Sequence, residues 1–245
     1  MATNPKKQSK SERAQALMRQ QQQRERRRNL LVVGAVVVAI AIIAVVMFVV
    51  TNKNDTTGQT ATHVPKNLTG QYDVLIGKSS APHTIKLYED LQCPICRDFE
   101  KAAGNQVRSA IADGKVKVDY HMVAFLDRES STNYSSRALN AAMAVLSTAG
   151  PQGFLKFHEI AYDNQPAEGS AGVPDSTLID WAVQSGADKG TVTPLINGNV
   201  YHQWVVNATD QMSKDQVTGT PTIFIDGTKE TDLQTGVNAV LQITK

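Results

Sequence analysis

Only two of the 245 residues are cysteine, and this scarcity narrows the chemistry more than any other property of the chain. Both lie in one four-residue motif, Cys93-Pro94-Ile95-Cys96, so with no third thiol to pair with they are read against each other. No second cysteine pair and no close His-x-His accompanies them, which excludes a four-ligand zinc site. The chain also lacks internal repeats, and its net charge is only +2. A bridge between two cysteines three residues apart would constrain almost no chain, so its entropic value as a structural staple is small. A dithiol that follows a strand and opens a helix reads instead as a redox motif.

What the sequence does contain is one long uncharged run. Leu30 to Val50 is 21 residues without a charge, and at 1.5 Å per residue a helix of that length spans about 31 Å, enough for a bilayer core. A cleaved leader would have an apolar stretch of about 7 to 15 residues and a small-residue cleavage site. Val49-Val50-Thr51-Asn52-Lys53 offers no such site. Residues 30–50 are therefore expected to be a retained transmembrane helix. Residues 1–29 form a basic arm of charge +7, so the remainder of the chain is −5 against the total of +2. Short basic flanks stay cytoplasmic, which puts residues 51–245 outside. Topology and anionic headgroups account for the arm without nucleic acid. In that compartment disulfides persist, and the thiol pair is expected to be catalytic.

The exported part divides into a polar linker, residues 51–66, and a domain, residues 67–245. Tyr72–Ile76 and Thr84–Tyr88 are expected strands. Pro94 to about Asp113 is an expected helix whose apolar face is Ile95, Phe99, Ala102, Ala103, Val107, Ala110 and Ile111, closed by Gly114. Val116, Val118, Tyr120 and Met122 alternate as a half-buried strand. Residues 133–213 carry helical stripes whose aromatics read as bundle core. Pro221–Gly227 returns to strand, and Asp232 to about Gln242 is a last amphipathic helix. The order indicates an α/β domain with a helical insertion.

At the thiols, the helix start supplies unpaired N–H groups and the positive dipole end to an anionic Cys93. Cys96, one turn on, is expected to be the less exposed resolving thiol. Pro94 and Ile95 between them add no charge. Glu89 and Asp90 precede the motif. Either could move a proton through a water, although the plainer reading is that they are solvated strand-end or capping acids. His83, His121, His158 and His202 are read as surface or satisfied structural histidines.

The run from Glu89 to Phe99, with Cys-Pro-Ile-Cys at its centre, resembles the active-site segment of the DsbA-like branch of the thioredoxin-fold oxidoreductases. Thr218-Gly219-Thr220-Pro221-Thr222 resembles that superfamily's cis-proline loop. The resemblance covers about residues 70 to 245. It implies a thioredoxin fold with a helical insertion between the central strand and the proline loop, and a cis Thr220–Pro221 bond facing the thiols. Thr220 would offer its backbone to an extended client peptide. No cofactor or metal is implied. The expected partners are reduced exported proteins and a membrane-embedded reoxidant, in a bacterial cell. One departure is Leu87, which stands where many relatives carry a buried acid six residues before the first cysteine. Reductase or isomerase chemistry on the same fold, a Cu(I)-binding thiol module and a tethered peptide-binding module are the alternatives.

Overall fold

The structure, a computed structural model, describes residue 56 and residues 58–245. The expected basic arm and the expected span at 30–50 lie outside the described residues. Among the described residues no helix is long and apolar enough to cross a membrane.

Five strands form one sheet in the order β1-β3-β2-β4-β5. They are β1 (Val74–Ile76), β2 (His83–Glu89), β3 (Val116–Met122), β4 (Thr222–Ile225) and β5 (Thr228–Lys229). The middle strand β2 runs parallel to β3, with Leu87 opposite Tyr120, and antiparallel to β4, with Leu87 opposite Ile223. β1 pairs antiparallel with β3, and β5 with β4. The alternation of Val116, Val118 and Tyr120 works as expected: these side chains are buried, while Lys117 and Asp119 between them are half-buried on the other face. Ile85 and Leu87 of β2 are fully buried. The short pair β4–β5 turns through Asp226 and Gly227, both at positive φ, and Asp226 holds the exposed His83 at 2.8 Å.

The helix after β2, α1, is continuous from Pro94 to Asp113 but contains a π-helical turn at Glu100–Gly104. The buried side is narrower than expected: Cys96, Phe99, Ala103, Val107, Ala110 and Ile111 are buried, while Ile95 and Ala102 are exposed. Glu100 is turned inward with 8% of its side chain exposed. Gly104 makes room for it, because a Cβ there would run into the Glu100 carboxylate and the Arg108 guanidinium. Gly114 closes the helix in the left-handed region at φ 75, a conformation glycine adopts without steric cost.

Four α-helices intervene between β3 and β4: α2 (Tyr134–Asp163), α3 (Asp175–Gln184), α4 (Lys189–Asn197) and α5 (His202–Lys214). This is the helical insertion on a thioredoxin-type α/β core, although it follows β3, the neighbour of the middle strand. α2 is broken at Gly150, with φ 74 and ψ −172, ahead of Pro151, whose missing N–H and ring forbid an unbroken helix there. The predicted aromatic core is present: Phe154, Phe157 and Trp204 are buried. The last helix, α6 (Leu233–Ile243), starts one residue later than expected because Asp232 is its cap, accepting from Thr235 N in a capping box.

The expected linker is in part bound to the domain. Asn207 donates to Gln59 O at 2.8 Å, Gln203 to Thr56 O at 2.8 Å, and Lys66 N to Ser147 at 3.0 Å. Backbone carbonyls that composition marked as free for solvent are thus bonded to α5.

Leu87 packs into the centre of the sheet with no exposed surface. Leu87→Ala is expected to lower the unfolding free energy by about 2–5 kcal/mol, the usual cost of a cavity at such a site. Urea denaturation of the reduced protein measures it.

Candidate active site

Cys93 is the N-cap residue of α1, in extended conformation at φ −74 and ψ 116, and Pro94 occupies the first helical position. Proline there sacrifices no intrahelical bond, since the N–H it lacks would be unpaired in any case. The sequence therefore places one sulfur at the helix tip and the second one turn inside. Cys93 keeps 5% of its surface exposed and Cys96 none, and both thiols are free.

Their environments drive them apart. Cys93 is lowered from 9.0 to about 6, first by a hydrogen bond from the Cys96 side chain, then by the Thr220 side chain and the Cys96 and Ile95 backbone groups, against the opposing effect of burial. Cys96 is pushed well above the ordinary thiol range by its complete burial and by its bond to Cys93. One thiol holds the proton and donates to the other, which is ionised. At pH 7 a group titrating near 6 is about nine-tenths anionic.

The Thr220–Pro221 peptide is cis, and the Thr220 carbonyl lies 3.3 Å from Cys93 Sγ. The thiol form donates to that oxygen, and the bond disappears on ionisation. Thr220 and Pro221, 127 and 128 residues after Cys93, are thus brought to the sulfur by the pairing of β4 with β2. Ile95 stands beside the sulfur with 48% exposure, an apolar side chain facing solvent, and Pro94 is half-buried.

Glu89 and Asp90 depart from the plainer expectation for them, since neither is solvated and neither side chain caps α1. Both are fully buried. The helical insertion covers them, and no local pattern could have shown that. Asp90 is a hub of bonds. Oδ1 accepts from Gln92 N at 2.8 Å and Ser135 Oγ at 2.6 Å, and Oδ2 accepts from Leu126 N at 2.8 Å. Burial raises it to about 7, against the downward pull of these bonds. With both oxygens engaged, it joins the thiol loop, the turn after β3 and the start of α2.

Glu89 has a different setting. Oε2 meets His158 Nε2 at 2.8 Å, while Oε1 and His158 Nδ1 are buried without a partner. Burial holds the Glu89 carboxyl well above its ordinary range, reinforced by the charge of Cys93, and burial lowers His158. His158 is thus only half satisfied, unlike His121, which bonds Asp73 and the Ala208 carbonyl. Glu100 completes the cluster, its carboxylate accepting from Arg108 at 3.0 Å beside a cleft of about 260 Å³. Ligand atoms of Glu89, Glu100 and His158 lie within 4.8 Å of one another. They form the metal-compatible group among the described residues, but Arg108 already supplies the positive charge there. Sequence reasoning missed His158 and Glu100, since a lone histidine on a helical stripe and an acid after the motif carry no signal of their own.

Two consequences are measurable. Thiolate absorbance of the reduced protein at 240 nm is expected to titrate with a midpoint near pH 6 from Cys93 alone, with Cys93 and not Cys96 alkylated at pH 7. Asp90 binds its proton in the folded state up to about pH 7 but in the unfolded chain only to about 3.9. Its contribution to stability is therefore complete at low pH and is lost as pH rises through 7. Stability is expected to fall across that window by up to about 1.4 kcal/mol per pH unit for this one group. Asp90→Asn should remove that share of the slope in denaturation series from pH 4 to 8.

Comparison with known proteins agrees with this geometry. The family model Thioredoxin_4, described as thioredoxin, matches residues 69–240. The chain is 30% identical over 168 residues to the serine/threonine-protein kinase PknE of Mycobacterium tuberculosis, covering 66% of this chain and only 30% of that kinase. It is 25% identical over 177 residues to the disulfide bond formation protein D of Bacillus subtilis, covering 71% of this chain and 76% of that protein. Oxidised DsbA of Mycobacterium tuberculosis superposes with a TM-score of 0.59 at 31% identity, over 70% of this chain and 92% of that one. The chain thus belongs to the thioredoxin family and is similar in fold to its DsbA-like thiol–disulfide oxidoreductases.

Proposed function

We propose that this protein is an extracytoplasmic thiol–disulfide oxidoreductase that introduces disulfides into reduced exported proteins through Cys93 and Cys96, tethered to the membrane by residues 30–50. The observation that carries this reading is the division of labour between the two sulfurs. Cys93 is at the helix tip, partly accessible and lowered to about 6, and Cys96 is buried and held as a thiol. A stabilised thiolate favours the reduced form of the pair, and a protein whose reduced form is stabilised is an oxidant.

In the forward direction a client thiolate attacks Cys93 Sγ and the Cys93–Cys96 bond breaks. Cys96 leaves as a thiolate and takes a proton. A second client thiolate then attacks the client sulfur of the mixed disulfide, and Cys93 leaves as the thiolate that the helix start stabilises. The client has lost two electrons to the dithiol, and a membrane-embedded partner removes them to restore the disulfide. Glu89 is the proton carrier for Cys96. It is held protonated by its burial, is coupled to both sulfurs and retains an unengaged oxygen. Asp90, with all its bonds made, shapes the loop instead. The half-buried Thr220–Pro221 segment offers main-chain groups for an extended client beside Cys93, with Ile95 as an apolar contact at the rim.

Cys96→Ser tests this directly. The variant is expected to accumulate mixed disulfides with several exported proteins through Cys93, and Cys93→Ser to accumulate none. A wild-type potential close to the −270 mV of thioredoxin, measured in glutathione buffers, would overturn the oxidase assignment in favour of a reductase.

A further inference from the structure

The second limb of α2 and the chain leaving it both bear on the thiol loop. His158 and Tyr162, four residues apart, share one face of α2, and Gln165 lies just past the end of that helix at Asp163. Each bonds a different part of the loop. His158 meets the Glu89 carboxylate at 2.8 Å, and the Tyr162 hydroxyl donates to Asp90 O at 3.1 Å. The Gln165 side-chain amide donates to Leu91 O at 3.1 Å and to Cys93 O at 2.9 Å. The loop answers in kind: Gln92 Nε2 donates to Ala167 O at 3.1 Å and to Ser170 O at 3.2 Å. Two glutamines thus exchange side-chain amides between segments about 70 residues apart, and every bond ends on a backbone carbonyl.

The Cys93 carbonyl is the acceptor that matters most. It also receives the first intrahelical bond of α1, from Arg97 N at 3.2 Å. The peptide after it lacks an N–H because residue 94 is proline, so the side chain of Gln165 is the external restraint on the peptide plane from which the N–H groups of Ile95 and Cys96 follow. Those two groups face the Cys93 sulfur.

We propose that Gln165 is a positioning residue for the reactive thiol: its side-chain amide pins the Leu91 and Cys93 carbonyls and so aims the start of α1 at the sulfur. This deepens the oxidoreductase reading and rests on it. The helical insertion is then part of the redox site, supplying a donor to the backbone that carries the first cysteine.

The test replaces Gln165 in the full-length protein and follows the Cys93 titration, the equilibrium with glutathione and the thermal midpoint. Gln165→Met keeps the size and removes the donor, and Gln165→Ala repeats the loss with a smaller side chain. A neutral hydrogen bond's usual worth corresponds to about half a pH unit or more. Both variants are expected to raise the Cys93 midpoint by about half a unit and to shift the glutathione equilibrium by about threefold, about 14 mV, toward the reductant side. Gln165→Lys keeps a donor and should leave the midpoint at or below the wild-type value. Gln165→Glu faces the two carbonyls with an anion and should raise it most. Glu168→Gln, exposed in the same loop, is the control and should change nothing. If Met and Ala variants fold and titrate as wild type does, the positioning role is wrong while the oxidoreductase reading stands. If the wild type itself does not titrate near 6 and does not oxidise a dithiol peptide, the reading beneath it fails.

Discussion

The site depends on one hydrogen bond between like groups, a buried thiol donating to a thiolate at the end of a helix. Cys96 can act as the donor because burial denies it ionisation. Cys93 can act as the acceptor because the helix start and that donor stabilise its charge. Neither condition would hold alone. A more solvated Cys96 would compete for the charge, and a Cys93 moved along the helix would lose the unpaired N–H groups. Most of the surrounding architecture serves to maintain this asymmetry. The central strand delivers the loop, the proline loop closes over the outer sulfur, and the insertion seals the inner one.

The polar groups beneath the thiols show how that sealing is accomplished without disorder. Asp90 draws three segments onto its two oxygens, and Gln92 and Gln165 fasten the loop to the exit of α2. Glu89 and His158 are treated differently, paired to each other and each left with one bare atom. Buried polar atoms without partners are uncommon and call for a reason. The proposed exchange of a proton between Glu89 and Cys96 would use that free carboxyl oxygen.

Much of this was legible in the sequence, and the boundary follows from what kind of signal each feature emits. Cys93 and Cys96 announce themselves by spacing. β3 shows itself by alternation, and the Thr220–Pro221 loop by its resemblance to a known turn. Local pattern fails where a distant segment decides the outcome. Glu89 and Asp90 read as solvated because acids at a strand end usually are, and only helices some 45 to 70 residues later bury them. Ile95 and Ala102 are apolar and are therefore expected on the inner face of α1, yet both are exposed, while the acid Glu100 is turned inward. His158 carried no sequence signal because its meaning lies wholly in what it touches.

The break at Gly150–Pro151 divides α2 into two rods. The first rod begins at the Asp90 hub, while the second reaches the sulfurs' loop through His158, Tyr162 and the chain beyond. One helix in the chain thus grips the loop from two directions, at the Asp90 side chain from one limb and at Glu89 and the Asp90 carbonyl from the other.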